Sequence, residues 1–142
     1  MKIGIIGSGR MVSSIHLPLL SCIDNVKIEF IADRNNPLSL AKMYNTKSIQ
    51  IDKISNLPKC DIILLAVPMG VKEKYLYELI KRDCHIFAEK PFAVDLASHK
   101  KILKLNNKIT CNYVRNYYDT TRNIKKIISS KIFGKIKTIS IV

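Results

Sequence analysis

No C-x-x-C pair occurs in this sequence: its four cysteines, Cys22, Cys60, Cys84 and Cys111, lie far apart, and no histidine spacing suited to zinc accompanies them. That absence removes a zinc module and a disulfide framework, and no metal site is expected. The cysteines read instead as small buried hydrophobes in a reducing compartment. Long apolar runs are also missing. None approaches the roughly 18 residues of a membrane span, and the run at residues 3–6 is shorter than the hydrophobic region of a signal peptide. No membrane partner is expected, and a cytoplasmic location is. Acidic residues are few, 11 against 24 Lys and Arg, leaving a net charge of +13. Such a balance suits nucleic acid, yet Lys42, Lys47, Lys53, Lys59, Lys72, Lys74 and Lys81 are dispersed, and only residues 122–126 and 131–137 approach clusters. Neither a basic recognition helix nor an aromatic stacking pattern accompanies the charge, so no nucleic-acid partner is expected.

What is present is a regular alternation. With 142 residues the chain holds one domain with a good core and at most a remnant of another. Residues 2–7 read as a short, continuous, Ile-rich buried strand. Residues 10–24 read as a helix with Met11, Ile15, Leu19 and Ile23 on its inner face, bent or shortened at Pro18. Residues 26–33 form a second strand, and Asn36 before Pro37 reads as the N-cap of a short helix ending near Tyr44. A third strand at residues 47–51 and a connector at 52–59 follow. Residues 61–67, DIILLAV, are the most hydrophobic strand and belong in the middle of the sheet. Residues 71–82 predict a helix packed through Val71, Tyr75, Leu76, Leu79 and Ile80. A fifth strand at 85–89, a helix capped by Asp95 and ending near Asn107, and a sixth strand at 108–114 complete the series. The alternation predicts an α/β fold over residues 1–116: a doubly wound parallel sheet with right-handed crossovers and helices on both faces.

Residues 117–142 break the rhythm. A helix at 120–130 is expected to turn Ile124, Ile127 and Ile128 inward, and residues 135–142 alternate polar and apolar with period two, as a half-buried strand does. With nothing after it to pair with, that strand is expected to be disordered or to join a neighbouring chain, giving a homo-oligomer.

Three stretches carry chemistry. Gly7-Ser8-Gly9 follows the first strand and opens the first helix, as in a phosphate-binding turn, but Val12 stands where the third glycine of G-x-G-x-x-G would be. The two glycines kept are those that shape the turn and admit the ligand, so amides around Arg10 and Met11 still face an anion, while the helix is expected to sit slightly farther from its strand. A plain tight turn is the simpler alternative. Asp33 ends the second strand, where a carboxylate hydrogen-bonds a ribose diol and repels a 2′-phosphate, which favours NAD over NADP. A turn or cap residue fits Asp33 as well, and Arg34 beside it suits either adenine or that phosphate. At the end of the fifth strand stands Ala88-Glu89-Lys90-Pro91-Phe92, with a lysine at the sheet edge where ligands bind; a surface Lys-Pro turn is the alternative.

The order GIIGSG, ADR, DIILLAVP, FAEKPFA, NYVR resembles the glucose-fructose oxidoreductase, inositol dehydrogenase and MocA family, with Glu89-Lys90-Pro91 its most specific part. The resemblance runs along essentially the whole chain. It implies a Rossmann domain that binds NAD or NADP, and an oxidoreductase acting on a sugar, polyol or related CH-OH substrate. By that resemblance Gly7, Ser8, Gly9, Arg10 and Met11 hold the pyrophosphate, Asp33 and Arg34 the adenosine end, and Val67 and Pro68 the nicotinamide side. Glu89 and Lys90 lie beside the nicotinamide ribose, Lys90 acting as the catalytic proton-transfer group. Arg115 lies near the junction with a second domain, and Tyr113 borders the substrate pocket or belongs to the core.

Departures from the family pattern are expected to matter. Lys72 stands where members commonly carry a histidine, so a contact there is altered or lost. The family's second domain, with its substrate pocket and an Asp-x-x-x-His element, has only its start in residues 117–142, and His16, His85 and His99 are expected to be structural or solvated. A sugar-like substrate is therefore expected only where a second domain is supplied, and the chain alone is expected to be poorly active. A non-catalytic dinucleotide-binding or dimerising regulatory module is the alternative.

Overall fold

Short apolar segments punctuated by Gly, Pro and Asn become strands whose two faces are both covered. The computed structural model of the chain describes residues 1–105, 108–138 and 140, without the side chain of Leu105. Strands β1 (Lys2–Ile6), β2 (Lys27–Asp33), β3 (Lys47–Gln50), β4 (Ile62–Leu65), β5 (His85–Ala88) and β6 (Ile109–Cys111) form one sheet in the order β3-β2-β1-β4-β5-β6. All neighbours run parallel. The helices are α1 (Leu17–Ser21), α2 (Leu38–Met43), α3 (Met69–Leu79), α4 (Leu96–Leu105) and α5 (Asp119–Ser130). This is the doubly wound α/β fold. The DIILLAV segment lies centrally, between β1 and β5, as its unbroken apolarity requires of a strand buried on both sides.

Side chains alternate between two cores. Ile6, Phe30, Ile63, Leu65 and Ile86 pack with Leu76 and Leu79 of α3 and Ile102 of α4. Ile3, Ile5, Ile31 and Leu64 pack on the other face with Val12, Leu17 and Ala41 of α2. The connector at 52–59 forms one 3-10 turn, Ile54–Asn56, and the Arg82 guanidinium donates to its carbonyls at Ile54 (3.0 Å), Leu57 (2.9 Å) and Pro58 (2.8 Å).

The first helix departs most from the expected pattern. After opening at Arg10 and Met11 it passes through a widened π turn, Val12–His16, before continuing as α1. Val12, His16 and Leu17 are buried, whereas Met11, Ile15, Leu19 and Ile23, the stripe expected inside, are exposed. The exposed stripe recurs every four residues and is the more apolar one, and the face carrying Val12, His16 and Leu17 is buried instead, where His16 finds a partner described below. Val12 is fully buried, and the wider turn opens at the residue whose side chain replaces the third glycine. Asn36 does not cap α2; its side-chain Oδ1 accepts from Ser48 Oγ at 2.5 Å. Asp95 does cap α4, its carboxylate accepting the Ser98 N–H at 2.7 Å. The expected helix end at Asn107 lies outside the described residues. Cys60 and Cys84 are buried, but Cys22 is exposed on the turn after α1.

Residues Met1–Asn112 make one compact unit and Tyr113–Val142 a second. In the second, a 3-10 turn (Val114–Tyr117) leads into α5, which ends at Lys131 with a left-handed φ of 55°. Ile124, Ile127 and Ile128, expected to face inward, are exposed. Residues 135–138 and 140 form no strand and are exposed, against the half-buried strand expected at 135–142; Ile139, Ile141 and Val142 lie outside the described residues. The unit to which the described part belongs contains no strand among its described residues, and alternation alone does not hold an isolated strand. Among the described residues no helix is long and apolar enough to cross a membrane.

The sheet order places its crossover point at the carboxyl ends of β1 and β4, where Gly7 leaves the sheet. Its φ is +100°, and a Cβ there would lie 2.2 Å from the Ala66 carbonyl oxygen. Gly7→Ala is expected to lower stability by about 2 kcal/mol or more through forced backbone movement, read as a fall in the urea midpoint with an unchanged slope.

Candidate functional site

A parallel doubly wound sheet opens a crevice where its strand order reverses, outside the carboxyl ends of the strands. Here that crevice has a volume of about 570 Å³ and is lined by Gly7, Ser8, Gly9, Asp33, Arg34, Val67 and Pro68, together with Val71 and Tyr75 of α3. Gly7 N–H donates to Ala32 at 2.8 Å, closing the turn onto β2. Gly9 is exposed, and a Cβ built on it meets no atom within 4 Å. The protein therefore leaves room at Gly9 for a ligand to lie against bare backbone. The first-turn N–H groups of Arg10 and Met11 follow it and, by helix geometry, have no partner inside the helix.

The phosphate-type turn and the carboxylate at the end of β2 are joined. Asp33 Oδ2 accepts from the Ser8 backbone N–H at 2.7 Å and from Ser8 Oγ at 2.8 Å. Its Oδ1 accepts the Asn35 N–H at 3.2 Å. Burial would raise the Asp33 carboxyl, but the Ser8 hydroxyl and the N–H groups of Asn35, Ser8 and Arg34 outweigh it and hold the group below its ordinary value. An ionised carboxylate with a lone pair left on Oδ1 is thus fixed at the crevice wall. These features fit a dinucleotide: a bare glycine turn, free helix-start amides and an anionic acceptor for a diol.

A second cluster stands one strand away. The β4–β5 register pairs Leu65 with Ala88, so Glu89 and Lys90 leave the sheet beside Ala66 and Val67. Glu89 is buried, and its Oε1 lies 2.6 Å from His16 Nε2 and accepts from Asn112 Nδ2 at 2.8 Å. The Lys90 N–H donates to Oε2 at 3.2 Å. Burial again opposes ionisation, and the hydrogen bonds from Asn112 and His16, the charge of His16 and the Lys90 N–H outweigh it, lowering the Glu89 carboxyl below its ordinary value. An ionised Oε1 only accepts, so His16 carries its proton on Nε2.

Beneath the same turn Lys72 is only 1% exposed. Its Nζ donates to the carbonyls of Glu89 at 2.6 Å, Pro91 at 2.9 Å and Lys90 at 3.5 Å. Burial pushes its ammonium below the ordinary value, against the pull of Cys111 and Glu89. The Lys90 side chain is exposed, and its ammonium has no hydrogen-bond partner among the described residues.

Of the residues singled out in the sequence, Gly7, Ser8, Gly9, Asp33, Arg34, Val67 and Pro68 share the crevice. Arg10 and Met11 begin the helix beyond the glycine turn, both exposed, and Glu89 and Lys90 occupy the neighbouring sheet edge. Arg115 and Tyr113 belong to the unit at Tyr113–Val142 and are exposed in it. His85 is exposed at the start of β5, and His99 meets the Phe92 ring edge-on at 4.7 Å. Reading the sequence missed the roles of His16, Asn112 and Lys72. Lys72 carried a usable signal: it shares a core stripe with Leu76 and Leu79 at helical spacing, a position where a lysine demands a partner. Asn112 carried none.

The Gfo/Idh/MocA oxidoreductase family, described as an NAD-binding Rossmann fold, matches residues 1–117. An inositol 2-dehydrogenase of Renibacterium salmoninarum is 22% identical over 144 residues, spanning 96% of this chain and 44% of that protein. A myo-inositol 2-dehydrogenase of Thermotoga maritima is 23% identical over 147 residues, spanning 95% and 42%. Among solved structures, scyllo-inositol dehydrogenase from Lactobacillus casei with bound NAD(H) and scyllo-inositol superposes with a TM-score of 0.78 at 19% identity, covering 95% of this chain and 42% of that one. KijD10, a 3-ketoreductase from Actinomadura kijaniata in complex with TDP-benzene and NADP, gives 0.79 at 14% identity, covering 93% and 44%. The structural likenesses show the fold, and the chain spans less than half the length of the curated relatives it matches. The match across residues 1–117 makes this chain a member of the Gfo/Idh/MocA oxidoreductase family, carrying its NAD(P)-binding Rossmann fold.

Proposed function

We propose that this chain is the cofactor-binding part of an oxidoreductase acting on a CH-OH carbon of a sugar or polyol, that it prefers NAD to NADP, and that Lys90 is its proton-transfer residue. The observation that carries the reading is the crevice that unites Gly7, Gly9 and an ionised Asp33 one strand from an exposed Lys90 whose ammonium has no hydrogen-bond partner among the described residues. Gly9 and the amides of Arg10 and Met11 receive the pyrophosphate. Asp33 accepts from the adenosine ribose, and its charge disfavours a 2′-phosphate; Arg34 flanks the adenine. Val67 and Pro68 line the nicotinamide side.

A bound nicotinamide supplies the hydride acceptor or donor. The protein's part is proton movement and orientation. Glu89 is enclosed, with Oε1 shared by His16 and Asn112 and Oε2 by the Lys90 N–H, so it orients rather than titrates. Lys90, free at the edge, exchanges a proton with the substrate hydroxyl. Substrate contacts are assigned to a further domain, as in the family, and robust turnover by residues 1–142 alone on a sugar panel would refute that assignment.

Calorimetry with the full chain tests the cofactor reading. NADH is expected to bind, and NADPH to bind about tenfold more weakly because it meets the Asp33 charge; equal affinities would remove the NAD preference, and no binding of either would remove the proposal. Lys90→Met is expected to weaken NADH about tenfold while leaving ADP-ribose, which lacks the nicotinamide, unchanged.

Acid dependence supplies an independent check. Asp33 is held below its ordinary value, so its contribution to NAD+ affinity is constant from neutral pH downward and is lost only as pH falls through that lowered value. Ser8→Ala removes one donor and moves the carboxyl upward, so the acid loss is expected to begin at higher pH in the variant. Coincident pH profiles of wild type and Ser8→Ala would contradict the role given to this hydrogen bond.

A further inference from the structure

We propose that Lys72 is a positioning residue for Lys90: its buried ammonium holds the three consecutive carbonyls of Glu89, Lys90 and Pro91 and thereby fixes the direction in which the Lys90 side chain leaves the sheet. The inference rests on the role given to Lys90 above. Lys72 lies on α3, in the same stripe as Leu76 and Leu79, and is almost fully buried. A side chain there that served only packing would be apolar, because burying an ammonium costs free energy that an aliphatic group does not incur. The three ammonium hydrogens match three carbonyl acceptors, at 2.6, 2.9 and 3.5 Å. Those carbonyls belong to the segment where β5 has ended, so no ladder bonds constrain it; Glu89 N–H, bonded to Leu65 at 2.9 Å, is the last link to β4.

The Glu89 side chain restrains the turn from the opposite side, through His16, Asn112 and the Lys90 N–H. Lys72 and Glu89 thus grip the turn by its carbonyls and by its amide, while the Lys90 side chain is exposed. Lys72 itself is enclosed and does not reach the crevice. It acts through Lys90.

A double-mutant cycle distinguishes this from a contribution to stability alone. Lys72→Met keeps the unbranched stem and removes the ammonium donors. It is expected to weaken NADH on the order of fivefold, to leave ADP-ribose affinity unchanged, and to have no further effect in the Lys90→Met background. Parallel loss of ADP-ribose binding, effects that multiply with Lys90→Met, or an unchanged NADH affinity would each overturn the proposal. Lys72→Gln, which retains two donors on a stem one atom shorter, is read in the same way should Lys72→Met fail to fold, with a smaller loss expected.

Backbone amide NMR of the ligand-free chain separates failure of this inference from failure of the cofactor reading. Resonances of Glu89, Lys90 and Phe92 are expected to move in the variant, with faster hydrogen exchange at Lys90, while those of β1 and β2 stay in place. Should wild type bind no NADH, the cofactor reading falls and this comparison alone decides whether Lys72 positions the turn. Unmoved Lys90 signals would refute it.

Discussion

Two opposite charges are buried at the end of β5, and they do not pair directly. The Lys72 ammonium is satisfied by backbone carbonyls and the Glu89 carboxylate by a histidine, an asparagine and an amide. Each charge is compensated by groups that the fold holds still, the condition under which burying an ion is tolerable. The rest of the site depends on this arrangement. It ties α3 to the turn after β5, ties the π turn at Val12–His16 to the same point, and brings Asn112, just past β6, onto the Glu89 carboxylate. Three segments distant in sequence are thereby fixed around one exposed lysine.

The same constraint explains why the first helix turns as it does. A stripe of Met11, Ile15, Leu19 and Ile23 is more apolar than the stripe that is buried, and hydrophobicity alone would have rotated the helix the other way. Burying His16 is favourable because Glu89 waits for it, and the widened turn accompanies that choice of face. Tertiary hydrogen bonding thus overrides local pattern at the place where the candidate site is assembled.

Strand positions and order were legible because each strand is a short apolar run between turn formers, and alternation with helices implies a parallel sheet. Gly7, Gly9 and Asp33 were legible because backbone geometry and charge restrict what works there. The burial of Lys72 was obscured by the many solvated lysines around it in sequence, and Asn112 was invisible, since an amide gains its meaning only from the neighbour it meets. Period-two alternation at 135–142 was legible as a pattern and misleading as a prediction, because strand formation needs a partner that a sequence pattern does not provide.

The bond between Ser8 and Asp33 links the residue inside the glycine turn to the residue proposed to face the ribose, 25 positions later. Removing the Asp33 carboxylate to admit a 2′-phosphate would strand two Ser8 donors at the mouth of the turn. On the proposed reading, a change of cofactor preference is therefore coupled to the integrity of the glycine turn, and evolution or an engineer would have to alter both positions together.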